Sequence, residues 1–175
     1  MLWSASPTTV NVSQTPQAFV VDKEGNIVYS HTGYLPGGTA WYRKHFELPS
    51  DVQGKRVRIT FGGVYKHARV YFNSNHVGNY AFGYGTFTFD VSEFVRPGEN
   101  VIAVRVEHEQ VADSRWFTGS GIYRDVTLYA LEPIHVDLHG VTVTTPNIAD
   151  GDGTAAIKAD VVNDGRAAAI VTVKA

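Results

Sequence analysis

Alternation of apolar and polar residues with a period of two recurs along most of this chain, and it commits the chain to β-strands. Successive side chains of a strand point to opposite faces, so each alternating run has one side for a core and one for solvent. Ala40, Tyr42, Lys44, Phe46 and Leu48 share one face, with Trp41, Arg43, His45 and Glu47 on the other. Val57, Ile59 and Phe61 alternate with Arg56, Arg58 and Thr60. Ala68, Val70 and Phe72 alternate with Arg69 and Tyr71, and an Asn73-Ser74-Asn75 turn leads to a short return strand at His76-Val77. Phe87 and Phe89 alternate with threonines, Ile102, Val104 and Val106 with Ala103, Arg105 and Glu107, and Val126, Leu128 and Ala130 close the series. Strands with one apolar and one mixed face suit two antiparallel sheets packed face to face, an all-β sandwich.

The breaks between runs agree. Gly62-Gly63, Gly83-Tyr84-Gly85 and Pro97-Gly98 fall at turn positions, and Asp22-Lys23-Glu24-Gly25-Asn26 between two apolar runs marks a hairpin. No stretch keeps a 3.6 period, so helix is expected to be scarce, with at most one helical turn over residues 91–95. Aromatic residues make up 12% of the chain and glycines number 17, the composition of strands joined by tight turns. Most of those rings belong to the core and the strand faces, although aromatic rings also stack on sugars.

Glu132-Pro133 marks a domain boundary, which divides the chain into residues 1–132 and 133–175. Three more strand-like pieces follow, at 134–144, 155–162 and 168–173, separated by turn-rich residues 147–153 and 163–165. An immunoglobulin-like sandwich needs about seven strands in roughly 100 residues, more than the second part provides. The second unit is therefore expected to be incomplete and the chain to be part of something longer. Residues 134–175 are expected to be poorly ordered, or to pair with another copy through unprotected strand edges as a homo-oligomer.

Bulk properties exclude several classes. With no cysteine, disulfides, thiolate metal sites and thiol nucleophiles are ruled out. A formal net charge of -2 provides no broad basic field, so neither nucleic acid nor an anionic membrane is an expected partner. No apolar run approaches the roughly 20 residues of a bilayer span. No charged n-region leads into an apolar stretch, so no signal peptide is visible and the cytoplasm is the compartment favoured. No cofactor is expected.

Four constellations resemble chemistry and are better read as structure. Glycoside hydrolysis needs two carboxylates about 5–10 Å apart; Glu107 and Glu109 share a strand face, but nothing nearby would separate their pKa values. Ser120 in Gly119-Ser120-Gly121 lacks the full nucleophile elbow and suits a tight backbone turn. His135 and His139 fall on one strand face, too far apart to chelate a metal. Asp150-Gly151-Asp152-Gly153 starts like a calcium loop but lacks its downstream glutamate, so a solvated turn is expected.

The segment DSRWFTGSGIYR, residues 113–124, is different. It interrupts two strand patterns with a long polar and aromatic connection, the kind of loop in which a rigid sandwich carries its binding residues. Asp113 can accept hydrogen bonds from hydroxyls, Arg115 donates in a fixed fork, and Trp116 or Phe117 offers an apolar face to a sugar ring. An internal latch is the equal alternative, with Arg115 or Arg124 paired to Asp113 or Asp125 and Trp116 capping the core.

The same segment, continued through Asp125-Val126, resembles the signature near the end of the N-terminal domain of glycoside hydrolase family 2, in its β-galactosidase-like branch. Three further stretches are similar in the right order: residues 33–38 leading into Trp41-Tyr42-Arg43-Lys44, residues 61–64 followed by 68–73 and Val77-Gly78, and residues 98–106. Together they cover roughly residues 33 to 131. The resemblance implies a jelly-roll β-sandwich, galactose-binding-domain-like, followed by the first strands of an immunoglobulin-like domain. It implies a parent glycosidase that hydrolyses O-glycosidic bonds of β-galactosides, with both catalytic glutamates on a (β/α)8 barrel outside this chain. No catalytic residue is then expected here. The signature loop would reach into the barrel mouth, Asp113 approaching a substrate hydroxyl while Arg115 and Trp116 buttress the site. The expected partners are a β-galactoside-like carbohydrate and the remaining domains of the parent chain. A free-standing carbohydrate-binding module and a structural interaction domain are the alternatives. Two positions depart from the family pattern: residues 1–32 carry no Pro-His-Asp-Trp type motif, and position 117 is Phe where Tyr is common.

Overall fold

Strand β10 (Glu99–His108) alternates almost perfectly in burial, and the rest of the sandwich is arranged around it. The computed structural model describes residues 8–11, 17–21, 27–32, 38–108, 120–149 and 151–173, the first three stretches by their backbone alone. The remaining strands are β1 (Thr8–Asn11), β2 (Gln17–Val21), β3 (Ile27–Thr32), β4 (Gly38–Glu47), β5 (Arg56–Phe61), β6 (Val64–Tyr65), β7 (Ala68–Phe72), β8 (Asn75–Tyr80), β9 (Phe87–Asp90), β11 (Gly121–Ile122), β12 (Val126–Leu131), β13 (Ile134–Ala149) and β14 (Asp152–Asn163). Helix is confined, among the described residues, to two 3-10 turns, Ser50–Val52 and Ser92–Phe94. The second lies within the expected helical turn.

Contacts divide the chain into two units, Pro7–Ala130 and a second that contains the residues from Leu131 onward. In the first, one sheet has the order β1-β12-β5-β9 and the other β3-β2-β4-β10-β7-β8. Val57, Ile59, Phe61, Leu128 and Ala130 of the first sheet meet Ala68, Val70, Phe72, Ile102, Val104 and Val106 of the second in one buried cluster. These are the residues whose alternation marked them for a core. Burying each large aliphatic or aromatic side chain stabilises the fold by about 1.5–3 kcal/mol, before the entropy of ordering is set against it. The all-β sandwich expected from the pattern is the fold observed.

Turn chemistry sets the details. Asn73 and Ser74 have φ of 47° and 68°, both left-handed, the geometry of a two-residue type I′ hairpin turn. The return strand is longer than expected, because β8 pairs with β7 from Asn75 to Tyr80, across one bulge. Strands β2 and β3 pair antiparallel, as the hairpin signal required, while residues 22–26 that prompted it lie outside the described residues.

Buried polar groups hold the turn after residue 95. Asn73 and Asn100 are 5% and 0% exposed. The Asn73 side-chain amide donates to Asn100 Oδ1 at 2.8 Å and to the Phe94 carbonyl at 2.7 Å. Asn100 Oδ1 also accepts from the Arg96 backbone N–H, and its amide donates to the carbonyls of Arg96 and Gly98. A buried amide must be satisfied in this way or it costs stability.

The second unit is a long hairpin, β13 against β14. It differs from expectation at three places. The ladder continues through Asn147↔Thr154 to Ala149↔Asp152, so most of residues 147–153 is strand rather than turn. Both faces of this stretch meet solvent, and polar residues there do not oppose extension. Residues 168–173 form no strand, because an alternating pattern needs a hydrogen-bonding neighbour to become a ladder. The register shifts between Val136 and Val141, and His139 takes a φ of 63°. That irregularity breaks the two-residue alternation which placed His135 and His139 on one face.

Candidate functional site

Asp113, Arg115 and Trp116 lie outside the described residues, as do all of residues 109–119. What the structure describes is the ground to which that segment is attached. On one side β10 ends at His108, and on the other β11 begins at Gly121 and pairs with β6 through Gly121↔Tyr65 and Ile122↔Val64. The two ends are joined directly: His108 Nδ1 and Ser120 Oγ are 3.1 Å apart. The Glu107 N–H donates to the Lys66 carbonyl at 3.2 Å, so strand β6 and its continuation brace both ends.

Aromatic rings wall this end of the sandwich. Tyr65 packs edge-on against His108 with ring centroids 5.0 Å apart and lies 5.3 Å from Tyr84. Tyr84 meets Phe82 edge-on at 5.9 Å. Tyr65 is buried, whereas Phe82, Tyr84 and Tyr123 are 61%, 43% and 39% exposed. The Tyr123 hydroxyl donates to the Gly83 carbonyl at 2.9 Å, and Arg124 sits over the Tyr123 ring at 5.6 Å. Gly83 is required beside this wall, since a Cβ there would run into the Tyr65 ring. Exposed rings with nearby cations and backbone carbonyls can take the apolar face and the hydroxyls of a sugar.

A half-buried phenol stands against β11. Gly121 has φ of 78°, and a Cβ on it would collide with the Tyr42 hydroxyl. Burial pushes the Tyr42 phenol above its ordinary pKa of 10.0, partly offset by a backbone hydrogen bond at Ile122. Tyr42 thus acts as a packing and hydrogen-bonding post beside β11.

The other candidates separate on contact. Glu107 forms an ion pair with Arg105 and lies 3.8 Å from Arg69, which fits an outward strand face; Glu109 lies outside the described residues. Ser120 does have a histidine beside it, but His108 is 5% exposed and packed on Tyr65, so the pair anchors the loop ends. Among the described residues no ion pair joins Arg124 to Asp125, and no group of three His, Asp or Glu could hold a metal. No helix among them is long and apolar enough to cross a membrane. Tyr65, Tyr84 and His108 escaped the sequence reading, since the Gly62-Gly63 and Gly83-Tyr84-Gly85 breaks carried only a turn signal, whereas Tyr123 lies within the segment 113–124 that it singled out.

The described residues of the first unit define the class of two-sheet antiparallel β-sandwich domains. Residues 15–132 match the model of "Glycosyl hydrolases family 2, sugar binding domain", and the chain belongs to that family. It is 39% identical over 133 residues to the β-galactosidase BoGH2A of Bacteroides ovatus, a match covering 75% of this chain and 16% of that protein. It is 36% identical over 129 residues to a putative β-glucuronidase of Formosa agariphila, covering 74% of this chain and 12% of the relative. The crystal structure of a family 2 member from Bacteroides cellulosilyticus superposes with a TM-score of 0.77 at 31% identity, over 89% of this chain and 25% of that one. The chain thus spans less than one fifth of the length of these two curated relatives.

Proposed function

We propose that this chain is the N-terminal, non-catalytic sugar-binding part of a glycosidase that hydrolyses O-glycosidic bonds, β-galactosides being its substrates. In this reading residues 1–132 are a jelly-roll sugar-binding domain and residues 133–175 the first strands of an immunoglobulin-like domain. Residues 113–124 supply one wall of a substrate pocket whose catalytic carboxylates lie on a barrel outside this chain. Asp113 accepts from a substrate hydroxyl, and Arg115 and Trp116 buttress it. The observation that carries the reading is the family match over residues 15–132, with the loop ends clamped by the His108–Ser120 contact at the aromatic-walled end.

The chain alone is then inactive. Incubating the purified chain with a chromogenic β-galactoside tests this, and turnover that survives repurification would overturn it. Assaying the full-length protein on aryl β-galactosides and aryl β-glucuronides decides between the two activities its relatives are named for. The second reading, a free-standing carbohydrate-binding module, draws on the description of the matching domain as sugar binding. It requires measurable affinity for a sugar in the isolated chain.

A further inference from the structure

The outer face of the six-stranded sheet carries a trough remote from the His108–Ser120 end in strand register. Its shape follows from side-chain size across the register. The outward residues of β10 include Val101 and Ala103, opposite His45 and Arg43 of β4, and Ala103 is opposite Tyr71 of β7. Small residues on the central strand, between tall ones on its neighbours, leave a groove of about 390 Å³. That volume falls in the roughly 300–1,000 Å³ range of small-molecule sites.

Trp41 and Tyr71 close one end, with ring centroids 5.7 Å apart and planes tilted by 34°. Both rings are half-buried, so each keeps some exposed surface. Arg43 and Arg96 are exposed and line the same groove. Arg96 is steadied by donating to the Asn73 carbonyl at 3.2 Å, next to the buried Asn73–Asn100 pair. No carboxylate lines the groove among the described residues, and the neighbouring Glu99 is engaged by His45 Nδ1 at 3.2 Å. The trough therefore combines an aromatic wall with two positive charges and rigid backing.

We infer that this trough is a second carbohydrate subsite, separate from the loop-bearing end, and that it takes a pyranoside bearing a carboxylate. The sugar ring lies against Trp41 and Tyr71, and its carboxylate accepts from the guanidinium groups of Arg43 and Arg96. Arginine suits this role because its planar fork matches a carboxylate.

The test is an NMR titration of the isotope-labelled 175-residue chain with methyl β-glucuronide and, separately, methyl β-glucoside. The expected result is saturable shifts at Trp41, Val101 and Ala103 with the glucuronide, and about ten-fold or weaker binding of the neutral glycoside, the scale of one charge-assisted hydrogen bond. Arg43→Gln, a change at an exposed position, should weaken glucuronide binding while Arg96 remains, and leave glucoside binding unchanged. Equal response to the two sugars, no saturable shift with either, unchanged binding by Arg43→Gln, or shifts centred on Tyr84 and Tyr123 would each overturn the assignment. None of these outcomes bears on whether the full-length protein is a glycosidase, which its activity assay decides separately.

Discussion

The Tyr123 hydroxyl donates to the Gly83 carbonyl, joining segments 40 residues apart at the end of the sandwich where residues 109–119 attach. Both segments belong to the exposed aromatic wall, so the bond sets the spacing between its two halves. Tyr123→Phe removes the bond and leaves the Gly83 carbonyl unpaired by it. The expected cost is about 1 kcal/mol, read as a lower urea midpoint at unchanged slope. An unchanged midpoint would show that the wall is held by packing alone.

Gly121 and Gly98 form a matched pair of probes. Both have left-handed φ, 78° and 76°, but a Cβ at Gly98 meets open space whereas one at Gly121 meets Tyr42. Gly98→Ala should cost about 1–2 kcal/mol, the conformational penalty alone. Gly121→Ala should cost several kcal/mol, on the scale of overpacking added to strain. Equal melting temperatures for the two variants would remove Tyr42 from its supporting role.

Asn100→Ala deletes the amide that accepts from Asn73 and Arg96 and donates to the carbonyls of Arg96 and Gly98. With the buried Asn73 amide and three part-buried backbone groups losing this partner at once, a loss of about 3 kcal/mol is expected by thermal or urea unfolding. A loss below about 1 kcal/mol would mean that water replaces the network.

Alkaline unfolding should report Tyr42. Its folded-state pKa is raised, first by burial, so the folded form binds its proton more tightly than the unfolded chain does. The contribution is fully present below the unfolded value near 10 and is lost as pH rises through the folded value. Melting temperature should therefore fall more steeply above pH 10 in the natural protein than in Tyr42→Phe. Parallel curves would contradict it.

The β13–β14 hairpin exposes Val141, Val143, Ile148 and Ile157, each more than half accessible. A two-stranded sheet without a covering layer is marginal. Its amides are expected to exchange with solvent faster than those of β10, with protection rising at high protein concentration if copies pair edge to edge. Protection equal to that of β10 in a dilute monomer would exclude both the marginal hairpin and the self-association.

Alternation by itself determined which faces of β4, β5, β7, β10 and β12 are buried, because a period of two survives any arrangement of the strands around it. It likewise determined the all-β class, the helical turn near Ser92 and the hairpin at Asn73-Ser74, where local turn chemistry suffices. The resemblance in residues 113–124 located the family. Only the tertiary structure decided what stands around that segment. The contacts of His108 with Ser120, of Tyr123 with Gly83 and of Tyr42 with Gly121 join residues 12, 40 and 79 positions apart, and no local pattern encodes such distances. The trough on the outer face was equally hidden. Its depth depends on Ala103 standing between Arg43 and Tyr71 across two strand pairings, a matter of register that neither β4, β7 nor β10 carries alone.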